Sequence, residues 1–152
     1  MKAKLIHQTL DEHRSFTRGG DPKAAMGVGK RAMIEAWLEM MHVQGYVIND
    51  DLTVDVEGDV WMSHKGLAEF PFYVRFGRVR GYFSCSNNGL VSLEGCPRTV
   101  DSWFACQGNE LVSLEGCPEK VDGNFYCQNN RKKFTEEEVK KACRIKGKRI
   151  RC

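Results

Sequence analysis

Long apolar segments are missing from this chain of 152 residues. A secretory signal needs a continuous apolar core of roughly 7–15 residues, and a membrane-spanning helix needs about 20. The first residues, Met1 to His7, mix charged and apolar side chains, and no later run approaches the length of a span. We therefore expect a cytoplasmic protein without a membrane partner.

Motifs for metals and cofactors are also missing. No two cysteines have the short spacing of zinc sites, and the four histidines are scattered along the chain. The segment from Gly27 to Arg31 approaches a phosphate-binding loop. However, Ala24 stands where that motif has glycine, and Arg31 stands where it has the hydroxyl residue that binds magnesium. We expect no metal and no other cofactor.

Catalytic groupings are absent at the level of the sequence. An enzyme would be indicated by a nucleophile beside a base, or by two carboxylates that converge in a cleft. The chain groups no residues in this way. We expect a protein that is not an enzyme and has no catalytic residue.

The chain instead contains a repeat of 21 residues. Its pattern is Phe83-x-Cys85-x-x-Asn88-x-Leu90-x-x-Leu93-x-x-Cys96-Pro97-x-x-Val100. The same pattern returns from Phe104 to Val121, and a third copy begins at Phe125 and loses its apolar positions after Asn130. A weaker copy precedes them, so that four units begin near Val56, Val79, Val100 and Val121. Units this short cannot bury their apolar faces alone, and they must therefore stack on one another.

Stacked units of this length predict an α/β solenoid with one parallel sheet of about four strands. We expect a single domain over residues 1–152. Residues 1–45 would form an N-terminal helical cap, residues 46–130 a hairpin and the repeat array, and residues 131–152 a C-terminal helix and a basic segment. The caps are expected because an open strand edge and an apolar end invite aggregation.

Local signals place the two helices and the hairpin. Asp21 and Pro22 are typical of an N-cap and first helical position, and the helix that follows should end before Gly45. Residues 46–48 and 52–56 predict two short strands around a tight turn. Thr135 and Glu138 form a capping-box pattern that begins a short helix ending near Arg144.

Five of the seven cysteines fall on repeat positions. A small apolar group would serve there, and a free cysteine packs as one. Cys85, Cys106 and Cys127 would lie one strand apart with side chains pointing the same way, which fits the torsion of a disulfide badly. We therefore expect reduced thiols within the core.

The repeat resembles the short leucine-rich repeats of bacterial type. Further matching segments are Phe16-x-Arg18-Gly19-x-Asp21-Pro22, Tyr46-x-Ile48-Asn49-Asp50 and Asn130-x-Lys132-Lys133-Phe134-Thr135-Glu136-Glu137-x-Val139. With these, the chain is similar to small leucine-rich-repeat proteins encoded by tailed bacteriophages, from Phe16 to about Lys148. The resemblance implies a short solenoid that binds proteins, and an accessory phage protein that acts on a host or defence protein in the host cytoplasm. The first unit departs from the pattern at Lys65 and around Pro71, so its turn is expected to differ.

Residues between the inward positions of the strands should form an open sheet face. Each unit contributes one large aromatic residue to it, namely Trp61, Tyr82, Trp103 and Tyr126. Because neighbouring strands lie about 4.8 Å apart, these rings should form one band. The first column beside the band would contain Glu57, Arg80, Asp101 and Asp122. We expect this face to bind a protein partner, with coverage by the N-terminal segment and homodimerisation as the alternatives.

Charge is distributed unevenly along the chain. Residues 45–130 carry six Lys/Arg against twelve Asp/Glu, whereas residues 131–152 carry ten against three. The basic segment suggests a second function, unspecific nucleic-acid binding through phosphate contacts. Its candidate residues are Lys140, Lys141, Arg144, Lys146, Lys148, Arg149 and Arg151.

Overall fold

The structure is a computed structural model that describes the backbone of residues 22–152 and the side chains from residue 29 onward. The predicted N-cap Asp21 and the N-terminal segment before it lie outside the described residues. Helix α1 is Pro22–Met40, and helix α2 is Glu136–Ala142. The strands are β1 Tyr46–Ile48, β2 Val54–Val56, β3 Val60–Trp61, β4 Phe76–Val79, β5 Phe83–Ser84, β6 Thr99–Val100, β7 Phe104–Ala105, β8 Lys120–Val121, β9 Phe125–Tyr126, β10 Arg144–Ile145 and β11 Ile150–Arg151.

These strands form a parallel β-solenoid, which confirms the solenoid architecture. A six-stranded sheet has the order β1-β2-β4-β6-β8-β10, and a five-stranded sheet has the order β11-β9-β7-β5-β3. All pairs are parallel except β1 with β2, which form the predicted antiparallel hairpin. Each coil therefore contributes one short strand to each sheet, where the sequence had indicated one longer strand in a single sheet.

A bend between the two strands of each coil explains the second sheet. The bend positions are Gly58, Gly81, Ser102, Gly123 and Gly147. They remain bonded from coil to coil, for example through the Gly123 N–H, which donates to the Ser102 carbonyl at 2.8 Å. A Cβ added to Gly123 would lie 2.6 Å from the carbonyl carbon of Ser102. Close backbone approach thus favours glycine at this position. The bend changes the direction of the chain, and side chains continue to alternate between inward and outward positions.

The core is a set of in-register rows that run along the solenoid. Phe83, Phe104 and Phe125 are fully buried, with ring centroids 5.9 Å and 5.2 Å apart. Cys85 and Cys106 form the next row and are also completely buried, as the repeat predicted. Stacked identical residues therefore fill the interior with one contiguous apolar cluster.

Asparagine side chains close the turn that follows each inner row. Asn109 accepts hydrogen bonds at Oδ1 from the N–H groups of Asn88 and Leu90, both at 3.1 Å. Its Nδ2 donates to the carbonyls of Cys85 and Cys106 at 3.1 Å and 3.0 Å. Each asparagine therefore satisfies backbone groups of its own coil and of the preceding coil.

The turn of the first coil is closed by the same kind of contact as the others although Lys65 replaces asparagine, and it differs from them, as expected, in the positive φ of Gly66 (+69°). The N–H groups of Lys65 and Leu67 donate to Asn88 Oδ1 at 2.8 Å and 3.2 Å. A residue with left-handed backbone recurs at the equivalent position of four coils, namely at His64, Asn87, Gly108 and Asn129. Because the asparagine of the following coil closes each turn, the first coil needs none of its own.

Helix α1 packs on the solenoid through its buried face. Ile34 and Leu38 are fully buried, and Trp37 makes edge contacts with the rings of Phe70 and Phe76 at 6.1 Å and 6.5 Å. Arg31 donates to the carbonyl of Ile48 at 3.0 Å. The helix therefore shares one core with the first coils.

Helix α2 begins where the sequence indicated. Thr135 is its N-cap, with Oγ1 accepting from the Glu138 N–H at 3.2 Å. Val139 is its buried residue and packs in the same cluster as Phe134. The chain then returns to both sheets, because β10 pairs with β8 and β11 pairs with β9. The segment after α2 is therefore a final coil.

The asparagine bridges yield the first testable prediction. Replacing Asn109 by Ala leaves the part-buried amide of Asn88 and the buried amide of Leu90 without their acceptor, and each such loss costs roughly 1–3 kcal/mol. We expect Asn109→Ala to lower the free energy of unfolding by about 3 kcal/mol in urea titrations. Val112→Ala, at an exposed side chain three residues after Asn109, should change the free energy of unfolding by less than about 0.5 kcal/mol. Equal effects of the two substitutions would contradict this role.

Candidate functional site

Four aromatic side chains form a continuous row across the five-stranded sheet. The centroid distances are 6.1 Å for Trp61–Tyr82, 4.2 Å for Tyr82–Trp103 and 6.3 Å for Trp103–Tyr126. Trp61 is 56% exposed, and the other three rings are half-buried. The structure thus brings together the four rings that the sequence grouped, and we call this row the aromatic band.

The rings of the aromatic band hold one another in place. Tyr82 and Trp103 are stacked face to face with an interplanar angle of 5°. Trp61 and Tyr126 meet this central pair edge to face, with angles of 85° and 74°. An Asn124 Nδ2 group also donates to the Tyr126 hydroxyl at 3.2 Å. The facing sides of the central rings are therefore already occupied by neighbours, and Trp61 is the ring with the most surface available to a partner.

The charged column beside the aromatic band is internally paired. Arg80 Nε lies 3.0 Å from Glu57 Oε2. Asp101 binds Arg78, a residue that the sequence reasoning missed, through Nη2 at 2.8 Å. Lysine ammonium groups at 120 and 146 lie 3.6 Å and 3.9 Å from Asp122 Oδ1. The expected acidic column is thus an alternation of opposite charges, and its attraction for a basic partner is reduced accordingly.

Four further side chains, which alternate with the core positions and so belong to the predicted open face, are buried. Ser63, Ser84, Ser86 and Ala105 are all at most 5% exposed. The Ser63 hydroxyl lies 2.8 Å from that of Ser84 and 2.7 Å from that of Ser86, so the three hydroxyls satisfy one another. The three serines therefore hydrogen-bond to one another, and they and Ala105 offer little to a partner. The available part of the face is therefore the aromatic band, its charged column and the exposed Asp59.

Two amide oxygens lie at the end of this buried region. Gln107 Oε1 and Gln128 Oε1 are buried, and neither has a hydrogen-bond partner among the described residues. The two glutamines occupy equivalent positions in neighbouring coils. The alternation of residues along the strands predicted that both glutamines lie on the open sheet face, and it did not predict that their amide oxygens are buried.

The seven basic candidates all lie on α2 or in the final coil. Lys140 and Lys141 belong to α2, Arg144 to β10, and Arg151 to β11, while the other three lie in the connection that precedes β11. Every one of them is exposed. Lys146 approaches Asp122 at 3.9 Å, and the other six form no ion pair within the described part of the chain. The structure therefore groups unneutralised positive charge at one end of the solenoid.

The cysteines behave as core residues. Burial raises the pKa of Cys117 to about 11 and those of Cys127 and Cys143 to about 12. Burial also raises the pKa of Cys96 and Cys106 well above the usual range. All seven thiols are free. A thiol that stays protonated at neutral pH is a poor nucleophile and a poor metal ligand.

A groove of about 510 Å³ lies beside α2. Cys117, Glu138 and Lys141 line it. Glu138 is engaged by Lys132 Nζ at 2.7 Å, and the hydrogen bond lowers its pKa. The groove thus pairs a protonated thiol with an ion-paired carboxylate, which does not make a nucleophile and base.

Within residues 22–152 no group of three or more His, Cys, Asp or Glu side chains is arranged to hold a metal ion. Neither helix of that region has the length and apolar character needed to span a membrane.

The fold and this surface define the protein as a parallel β-solenoid with an aromatic band beside a paired charged column. No family model, curated protein or solved structure matches the chain.

Thiol chemistry gives a second prediction. With pKa values of about 11 to 12, Cys117, Cys127 and Cys143 should be overwhelmingly protonated at neutral pH. We expect their alkylation by iodoacetamide at pH 7 to be at least about tenfold slower in the folded protein than in urea, as measured residue by residue with mass spectrometry. Alkylation of the folded protein should accelerate as the pH rises toward 11. Modification of Cys127 at the unfolded rate would show that its burial is transient.

Proposed function

We propose that this protein is a non-enzymatic interaction module that binds a protein partner through the aromatic band. The observation that carries the proposal is the exposed Trp61 ring, which is 56% exposed at the end of an ordered row of rings. Large aromatic residues are enriched among the residues that dominate binding energies, and each anchor that becomes fully buried contributes roughly 2 kcal/mol or more.

Order within the band supports a binding role. The central Tyr82–Trp103 stack and the Asn124 hydrogen bond to Tyr126 restrict ring rotation before any partner arrives. Binding then loses little side-chain entropy, which is a substantial cost in flexible interfaces. The paired charges of Glu57 with Arg80 and of Asp101 with Arg78 provide a polar rim of both signs.

The class of partner is proposed from the resemblance to phage leucine-rich-repeat proteins. On that basis the protein is an accessory phage product that binds or inhibits a host or defence protein in the host cytoplasm. Coverage of the band by the N-terminal segment, or by a second copy of the chain, is the competing interpretation. Both alternatives would bury Trp61 without a foreign partner.

We also propose that the two helices are end caps. The buried α1 residues Trp37 and Leu38 pack against the first coils, and Val139 of α2 packs near the last ones. Helices in these places shield the apolar ends of a stacked core from water and from other chains.

Unspecific nucleic-acid binding through the basic segment remains the second candidate. Six exposed cations of α2 and the final coil are without an ion pair in the region described, which is the observation that favours it. Such binding would depend steeply on salt. Residues 140–152 contain no aromatic side chain for base stacking, so it would carry no sequence preference.

Substitution of Trp61 tests the proposed function. Trp61→Ala removes the most exposed ring of the aromatic band. Among the described residues the ring contact of Trp61 is with Tyr82, so the fold should remain intact while partner affinity falls by about tenfold or more. The measurement is quantitative capture from phage-infected and uninfected bacterial lysates by immobilised protein, followed by titration of the retained species.

Phe72→Ala is the matched control, because this side chain is 89% exposed and, among the described residues, its ring contact is with the neighbouring Tyr73. A species that the native protein and Phe72→Ala retain and that Trp61→Ala loses would support the band as the binding site. If every captured species binds all three proteins equally, the band is not the site. A native protein that is dimeric and becomes monomeric on Trp61→Ala would identify a second copy as the occupant.

A further inference from the structure

Among the strands of residues 22–152, the final coil leaves one edge of each sheet unpaired. β10 is the last strand of the six-stranded sheet, and β11 is the last strand of the five-stranded sheet. Both are short and follow helix α2 at the C-terminal end of the solenoid. A strand in this position presents backbone groups that another extended chain can pair with.

The hydrogen-bond pattern identifies which groups point outward. The carbonyls of Arg149 and Arg151 accept from the N–H groups of Phe125 and Cys127 at 3.1 Å and 2.8 Å. In a parallel ladder alternate residues bond to opposite sides, so the N–H and carbonyl of Ile150, between these two, point away from β9. By the same alternation the Cys152 N–H points outward, about 6.6 Å farther along the strand.

Positive charge surrounds this edge. Arg149 and Arg151 flank Ile150, and both side chains are exposed without an ion pair in the described region. Lys148 lies immediately before them in the same condition. The charged column beside the aromatic band differs, because its acids and bases already pair with one another. The edge therefore retains charge that a ligand can neutralise.

We infer that the β11 edge binds an extended acidic peptide as an additional strand. The outward groups of Ile150 would bond the peptide backbone, and Arg149 and Arg151 would pair with its carboxylates. Like charges directly opposite one another destabilise strand pairs, so the same arginines oppose pairing of this edge with the β11 edge of a second copy. The charges thus select an acidic strand.

Strand addition accounts for more of the site than phosphate binding does. Phosphate contacts need only cations within reach, whereas an added strand also uses the unpaired N–H and carbonyl of Ile150. The segment offers no aromatic ring to stack with bases. This inference does not depend on the aromatic band, and Trp61→Ala should leave acidic-peptide binding unchanged.

The test uses a pair of substitutions at one residue. Ile150→Pro removes the outward N–H, while Ile150→Ala keeps that N–H and removes most of the same side chain. Because the inner ladder uses the carbonyl of Arg149 and not the amide of Ile150, proline leaves those bonds in place. Binding to the full chain is measured at low salt by fluorescence anisotropy with a labelled peptide of alternating Glu and Val.

We expect the native protein and Ile150→Ala to bind this peptide with similar affinity, and Ile150→Pro to bind about tenfold more weakly. Should Ile150→Pro fail to fold, the native protein is titrated with the peptide methylated on alternate backbone nitrogens, which should bind about tenfold more weakly than the unmethylated peptide. A peptide of alternating Lys and Val should not bind.

Three results would overturn the inference. The first is equal affinity of Ile150→Pro and Ile150→Ala together with equal affinity for methylated and unmethylated peptide. The second is tighter binding of an oligothymidylate of matched charge than of the acidic peptide, which would assign the surface to nucleic acid. The third is the absence of any acidic-peptide binding at low salt.

Discussion

The asparagine amide that closes each turn is the contact on which the solenoid depends. A coil of 21 residues has too little apolar surface to fold alone, and its tight turn leaves backbone groups that helices or long strands would otherwise satisfy. Asn88 and Asn109 bond to those groups from the neighbouring coil, at distances between 2.8 Å and 3.2 Å. The stacked phenylalanine and cysteine rows supply the apolar burial, and the amides fix the register in which those rows meet.

Much of this arrangement could be predicted from the sequence, because a strict period reports directly on stacking. The equal spacing of Phe83, Phe104 and Phe125 predicted their row, and the recurrence of one large aromatic residue per unit predicted the aromatic band. The division into two sheets could not be predicted, because a bend at Gly81 or Gly123 preserves the alternation of inward and outward residues. The spacing of residues in the sequence reveals the period of the repeat, whereas the bend between the two strands of each coil depends on backbone contacts between neighbouring coils.

The sequence-based description of the site was weakest where side chains satisfy one another. Ser63 and Ser84 were predicted to lie on the open sheet face, yet they are buried and hydrogen-bond to each other. Asp101 was predicted as part of an acidic column, and its partner Arg78 comes from the neighbouring coil, 23 residues away. Such pairings depend on lateral register between coils. The two proposed binding surfaces therefore differ in chemistry. The aromatic band consists of ordered rings, and the β11 edge consists of outward backbone groups and positive charge.

The one-coil offset of the asparagine bridges gives the molecule a direction. The turn of the first coil is completed by Asn88 of the second, and the turn of the second by Asn109 of the third. During synthesis, a given coil cannot finish its turn until the ribosome has released the one behind it. The folded part of the chain would consequently lag the emerging chain by about one coil. Removal of the last coil at the C-terminal end would leave more backbone groups without a hydrogen-bond partner than removal of the first coil at the N-terminal end.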